Sequence, residues 1–97
     1  MIKGINKKEQ QIIEKILDKY EDYHFFYYGS RVKGDFYKTS DLDILIKGQK
    51  EMPLSKLEEI KEEFDKSDLP YIVNFCDFYS IDKKFYSLIK KDLTTYK

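Results

Sequence analysis

The sequence predicts a small α+β domain in which a small mixed β-sheet carries helices on one face. Three segments have apolar residues at helical spacing, and three shorter runs of aromatic or branched apolar residues favour strands. With a short helix after the first strand, the predicted order along the chain is α-β-α-β-α-β-α. Ninety-seven residues suit one domain with a modest core, residues 1–97, and are too few for two.

The composition limits the class of protein. Lys plus Arg total 18 and Asp plus Glu total 18, so no net charge draws the protein toward nucleic acid or an anionic membrane. We therefore expect neither direct nucleic-acid binding nor membrane association, because no apolar run reaches the length of a membrane span. Cys76 is the single cysteine and no signal peptide is recognised, which together predict a cytoplasmic protein.

The first part of the chain predicts a helix followed by a strand. Asn6 and Glu9 form a capping-box variant at the start of a helix over residues 7–20, whose apolar residues recur at helical spacing. The aromatic run at 24–28 predicts the first strand. His24, the only histidine, is interpreted as a structural residue at the end of that strand.

The second part of the chain predicts two further strands and two helices. The strands cover residues 41–47 and 71–78, and Pro53 starts the helix between them. Ser80 or Asp82 caps the last helix. The apolar positions expected to face the core in these two helices are Leu54, Leu57, Ile60, Phe64, Phe85, Leu88 and Ile89.

Two carboxylates stand one residue apart at the head of the second strand. Residues i and i+2 of a strand share a face, so Asp41 and Asp43 are expected to lie side by side, with Leu42 on the other face. Carboxylates this close repel each other unless a cation or a proton lies between them. Mg²⁺ suits this pair, since it is usually held by one or two carboxylates plus substrate phosphates. The alternative interpretation is a pair that caps the turn at a strand start.

A phosphate-binding turn is predicted a few residues upstream. Gly29 would let the backbone approach a ligand closely, and free amides at the start of a helix favour phosphate. Ser30 adds a hydroxyl, while Arg31 and Lys33 add positive charge. The alternative is an ordinary turn with solvated basic side chains. A phosphate cradle ahead of a metal-binding pair is the layout that phosphoryl and nucleotidyl transfer require.

This stretch resembles the signature of the DNA polymerase β-like nucleotidyltransferase superfamily. That signature has Gly-Ser, a gap of about ten residues and Asp-x-Asp among apolar residues, as Gly29-Ser30 and Asp41-Leu42-Asp43 have here. Arg31-Val32-Lys33-Gly34 is similar to the Arg-Ala-Arg-Gly or Arg-Ala-Lys-Gly of the small members. With Leu69-Pro70-Tyr71, the resemblance extends over nearly the whole chain and indicates a minimal nucleotidyltransferase, or MNT protein.

One position departs from the family pattern. The superfamily has a third carboxylate on the next strand, and Asn74 occupies that position here. The resemblance implies that this residue binds the metal beside the attacking hydroxyl and helps to remove its proton. An amide offers one neutral oxygen and cannot act as a base at neutral pH. Asp77 would face the opposite side of a regular strand, so only a bulge could bring it into the site.

The resemblance implies transfer of a nucleoside monophosphate, most simply AMP from ATP with Mg²⁺, to a hydroxyl on a protein partner. Asp41 and Asp43 would bind the metal, and Gly29-Ser30 would hold the β- and γ-phosphates. Small members pair with a helical HEPN-domain protein, as antitoxin to its ribonuclease toxin, which implies such a partner here. The alternative is a catalytically impaired binding subunit that neutralises a helical partner by occlusion, and Asn74 favours it. A third interpretation is an α+β domain without a site.

Overall fold

The structure is a computed structural model that describes residues 2–97. Four helices and a four-stranded sheet form the framework of this part of the chain. The elements are α1 (Lys7–Leu17), β1 (His24–Tyr28), α2 (Ser30–Lys33), β2 (Leu42–Lys47), α3 (Leu54–Asp65), β3 (Val73–Asp77), α4 (Lys83–Ile89), a 3₁₀ turn (Lys90–Asp92) and β4 (Thr94–Thr95).

The sheet is mixed, with strand order β3-β2-β1-β4. β1 runs antiparallel to both β2 and β4, and β2 runs parallel to β3. α3 makes the crossover that parallel neighbours require. The predicted α+β class and mixed sheet are confirmed. β4 was not predicted because two residues are too few to show the alternation by which a strand is recognised.

α1 begins as the sequence predicts and ends earlier. The Asn6 side chain accepts a hydrogen bond from the Glu9 amide, and the Glu9 carboxylate accepts one from the Asn6 amide. The helix ends at Leu17 rather than at Tyr20. The Tyr20 amide donates to the Leu17 carbonyl and so closes a turn, while the Tyr20 ring stays buried in the core.

α1 and α3 cover one face of the sheet and enclose the core. Buried aromatic and branched residues of β1 and β2 face these helices. Ile60 and Phe64 are buried as predicted, but Leu54 is 69% exposed, so that prediction is wrong. At 3.6 residues per turn, Leu54 lies about 90° around the helix from the centre of the stripe that Leu57, Ile60 and Phe64 form.

The second face of the sheet is contacted by α4. Asp82 rather than Ser80 caps this helix, because its carboxylate accepts from the Phe85 amide at 2.7 Å. The Phe85 ring meets the Tyr28 ring edge to face, with 6.1 Å between centroids. Leu88 is 64% exposed, against prediction, since it lies about 100° around the helix from Ile89. Within residues 2–97, no helix is both long enough and apolar enough to cross a bilayer.

Candidate functional site

The structure brings Asp41, Asp43 and Asn74 together at one end of the β2–β3 pair. Asp43 and Asn74 are register partners on the two parallel strands, and Asp41 directly precedes β2. The Asn74 side-chain nitrogen Nδ2 donates to Asp41 Oδ2 at 2.9 Å and to Asp43 Oδ1 at 3.4 Å. The amide therefore lies between the two carboxylates, within reach of both.

Asp77 lies outside this site. The register of β2 and β3 advances without interruption from the Leu42–Val73 pair to the Ile46–Asp77 pair, so these strands contain no bulge. Asp77 is only 8% exposed, and its carboxylate accepts from the backbone amides of Met52 at 2.9 Å and Tyr79 at 3.0 Å. Asp77 holds these two loops together and cannot replace a carboxylate at position 74.

The electrostatics of the pair favour a cation. Burial raises the pKa of Asp43, the hydrogen bond from Asn74 opposes that rise, and the neighbouring charge of Asp41 adds to it. Residues 2–97 contain no group of three or more His, Cys, Asp or Glu side chains placed so that they could hold a metal ion. The donor set is thus two carboxylates, plus the Asn74 carbonyl oxygen after a half-turn of its amide. Such a set fits Mg²⁺, which keeps water or phosphate oxygens in its remaining positions.

Gly29 lies directly beside the carboxylates. Its φ angle is +88°, a left-handed conformation that side chains disfavour, and a Cβ atom at this position would overlap Asp43 Oδ2. The Gly29 carbonyl accepts from the Val32 and Lys33 amides and starts α2, so Ser30 stands at the first residue of that helix. The predicted phosphate turn and the carboxylate pair are therefore one contiguous surface.

We expect Gly29→Ala to lower both stability and cation affinity. The left-handed backbone costs about 1–2 kcal/mol for a residue with a Cβ, and the overlap moves Asp43. Gly34→Ala is a matched control, because Gly34 has φ +94° but has no atom within 4 Å of its Cβ position. Urea unfolding should show a larger loss for Gly29→Ala than for Gly34→Ala, because only Gly29→Ala adds the overlap with Asp43. Calorimetry with Mn²⁺ should show weaker binding for Gly29→Ala alone. Equal Mn²⁺ affinity in the two variants would contradict this account.

The two basic residues of the turn have different surroundings. Lys33 is exposed, and its ammonium nitrogen forms an ion pair with Asp92 Oδ2 at 3.9 Å. Arg31 is only 3% exposed, and its guanidinium donates to the backbone carbonyls of Gly4, Lys38 and Ser40. The predicted contact of Arg31 with nucleotide is therefore not supported, because its charged group is already engaged inside the fold.

Two side chains near the carboxylates were missed by the sequence reasoning. Tyr28 is the register partner of Asp43 on β1, and its hydroxyl lies 3.2 Å from Cys76 Sγ. Burial raises the pKa of both Tyr28 and Cys76, so both are neutral and form a half-buried wall next to Asp43. The alternation of side chains along β1 could have placed Tyr28 on the same face as Asp43, but only with knowledge of how β1 and β2 pair.

Comparisons with known proteins agree with this arrangement. Residues 9–96 match the family model described as nucleotidyltransferase domain, a range that includes every predicted site residue. The probable protein adenylyltransferase MntA of Haemophilus influenzae is 35% identical over 88 residues, which cover 90% of this chain and 77% of that protein.

A solved structure shows the same fold. It is described as a toxin–antitoxin with AMP-PNP, and the match has a TM-score of 0.74 at 18% identity, covering 91% of this chain and 72% of that one. The sheet and its covering helices therefore have a fold that is known from that structure. The chain belongs to the nucleotidyltransferase domain family, as its resemblance to the minimal nucleotidyltransferases predicted.

Proposed function

We propose that the protein transfers AMP from ATP to a hydroxyl group on a protein partner, the toxin of a toxin–antitoxin pair. The observation that carries this proposal is the contact surface formed by the Asp41–Asp43 pair and the Gly29 turn. The two similar proteins support it, because one is a probable protein adenylyltransferase and the other is a toxin–antitoxin with AMP-PNP.

The residues of the chain divide the work of binding ATP. Mg²⁺, held by Asp41 and Asp43, would supply the positive charge that phosphoryl transfer needs. The missing side chain at Gly29 lets the Asp43 carboxylate lie directly against the turn. The hydroxyl of Ser30, in the same turn, can donate to the β- and γ-phosphates. Lys33, whose exposed side chain pairs with Asp92 at 3.9 Å, would add positive charge from the same turn. The α-phosphate would then lie against Asp43.

The transfer step makes one bond and breaks one. The acceptor oxygen attacks the α-phosphorus, the bond from that phosphorus to the bridging oxygen breaks, and pyrophosphate leaves. The hydroxyl proton must also go, and Asn74 can orient the hydroxyl with a hydrogen bond but cannot take its proton. Water or a side chain of the partner would accept it. Asn74 is exposed, so the partner can approach from this side.

A second candidate function is a binding subunit that holds ATP and neutralises its partner by occlusion. Asn74 favours this alternative, because the missing carboxylate removes the general base without removing the cation pair. In both cases we propose a helical HEPN-domain protein as the partner, on the basis of the family resemblance.

The two candidates differ in the fate of the α-phosphate. We expect label from α-³²P ATP, and none from γ-³²P ATP, to appear on the co-purified partner in the presence of Mg²⁺. The partner would be taken from the reading frame next to this gene, identified by an Arg-x₄₋₆-His motif. A stable complex without label would favour the binding subunit. Rapid labelling of a free small molecule, such as an aminoglycoside, would contradict a protein acceptor.

A further inference from the structure

Arg31 makes an unusual set of contacts for a buried cation. Its Nε donates to the Ser40 carbonyl at 3.0 Å, and Nη2 donates to the carbonyls of Lys38 at 2.9 Å and Tyr37 at 3.5 Å. Nη1 donates to the Gly4 carbonyl. In the described part of the chain, no carboxylate lies within ion-pair distance of this guanidinium. Backbone carbonyls therefore replace the charged partner that a buried arginine usually has.

Aromatic rings complete the surroundings of the charge. The guanidinium carbon of Arg31 lies 3.7 Å from the centroid of the Tyr71 ring and 5.2 Å from that of Phe36. The Tyr71 hydroxyl donates to Glu9 Oε1 at 3.2 Å, and Glu9 belongs to the capping box of α1. The Tyr71 ring is thus fixed at its far end by α1 and stacked against Arg31 at its face.

The contacts of Arg31 reach the two chain segments that precede Asp41 and Asn74. Residues 37–40 form a turn, in which the Ser40 amide donates to the Tyr37 carbonyl at 3.0 Å and the Ser40 hydroxyl accepts from the Tyr37 amide at 2.8 Å. Asp41 follows this turn directly. Tyr71 precedes Asn74 by three residues. The guanidinium therefore ties the segment that leads into Asp41 to the segment that leads into Asn74.

We propose that Arg31 is a positioning residue, which holds the 37–40 turn so that Asp41 stays beside Asp43 in the geometry for cation binding. This inference rests on the proposed function for its chemical meaning. Lysine could not replace it, because an ammonium lacks the planar fork that reaches several carbonyls while one face stacks on a ring. If Arg31 contacted phosphate as a simple charge, lysine would be a tolerable substitute.

The test compares Arg31→Lys with Lys66→Met, which removes an exposed lysine at the end of α3, outside the proposed site. Calorimetry with Mn²⁺ should show affinity for Arg31→Lys reduced by about tenfold or more, as expected for groups that orient metal ligands. Lys66→Met should change it by less than about twofold, because Lys66 forms an exposed ion pair with Glu62 on α3 and belongs to neither the 37–40 turn nor the carboxylate site. An unchanged Mn²⁺ affinity in a folded Arg31→Lys protein overturns the inference.

Amide hydrogen exchange gives a readout that does not depend on cation binding. In Arg31→Lys, the amides of Ser40 and Leu42 should exchange about tenfold faster relative to those of β1, the factor expected when a hydrogen bond to a charged group is lost. A uniform acceleration over the whole chain would indicate a general structural role and overturn the inference. If Arg31→Lys does not fold, Arg31→Gln serves, since it buries no unpaired charge and retains donors.

The two proposals fail separately in this experiment. If wild-type protein binds no Mn²⁺, the proposed function fails, and the exchange of the 37–42 amides alone decides the role of Arg31. If wild type binds Mn²⁺ and the exchange of these amides is unchanged in Arg31→Lys, the positioning role fails while the proposed function stands.

Discussion

Replacing Asp41 and Asp43 together by asparagine is expected to abolish both ATP–Mg²⁺ binding and AMP transfer. The amides keep the size of the carboxylates but remove both negative charges, so only neutral oxygens remain for the cation. Loss of metal-assisted charge stabilisation removes several kcal/mol, a factor of about 10³ or more in rate. Calorimetry with ATP and Mg²⁺, followed by the transfer assay with α-labelled ATP, measures both effects. Unchanged ATP affinity in the folded double variant would refute the site assignment.

The single variant Asp43→Asn provides a control for charge in the metal-free protein. The pKa of Asp43 is raised in the folded state, so the folded chain holds this proton more tightly than the unfolded chain does. Protonated Asp43 therefore contributes stability that is fully present below the pKa of the unfolded chain, about 4. This contribution is lost as the pH rises through the higher pKa of the folded protein. Urea unfolding in EDTA between these pH values should show a decline in wild type that is smaller in Asp43→Asn. If the free energy of unfolding depends on pH in the same way in wild type and Asp43→Asn, the charge of Asp43 does not destabilise the folded protein.

The second large effect is expected from Asn74→Asp, which should raise the rate of AMP transfer with little change in ATP affinity. The nucleotide is held by Asp41, Asp43 and Ser30 on the proposed function, whereas position 74 faces the acceptor hydroxyl. A positioned general base typically contributes about 10²–10⁴-fold. Asn74→Ala is the matched control, since it also removes the amide from between the carboxylates but supplies no base. Equal and substantial rates in wild type and Asn74→Asp would place the acceptor elsewhere.

The same substitution has a cost in the absence of cation. Asn74 Nδ2 now donates to both carboxylates, and aspartate would turn these attractions into repulsions among three negative groups. Metal-free Asn74→Asp should therefore unfold at lower urea concentration than wild type, and Mg²⁺ should restore its stability by binding the folded state. If Mg²⁺ does not change the urea midpoint of Asn74→Asp, position 74 is not part of the cation site.

The features predictable from sequence are those that depend on short-range pattern. The capping box at Asn6 and the glycine turn before Ser30 are local, and the structure has both. Strand alternation further predicts that Asp77 faces away from Asn74, which the continuous register confirms. These inferences need no knowledge of distant packing.

The features that were not predicted depend on tertiary contacts with residues that are distant in the sequence. In the sequence, Arg31 and Lys33 are two basic residues of the same loop and cannot be distinguished. In the structure, carbonyls of Gly4 and the 37–40 turn enclose Arg31, whereas Lys33 is exposed. No local pattern records that Tyr71, forty residues away, supplies the stacking ring. Leu88 was assigned to the core for the same reason, because a short helix does not reveal which of its faces meets the sheet.

The parallel pairing of β2 and β3 also determines when the site can exist. Asp43 and Asn74 are separated by thirty-one positions in the sequence, so their meeting is a non-local event that must overcome loop-closure entropy. A chain emerging from the ribosome has its Gly29 turn and Asp41–Asp43 pair well before β3 is synthesised. Such a nascent chain lacks the partner strand of the carboxylates, and the three-residue site can form only after β3 has been synthesised.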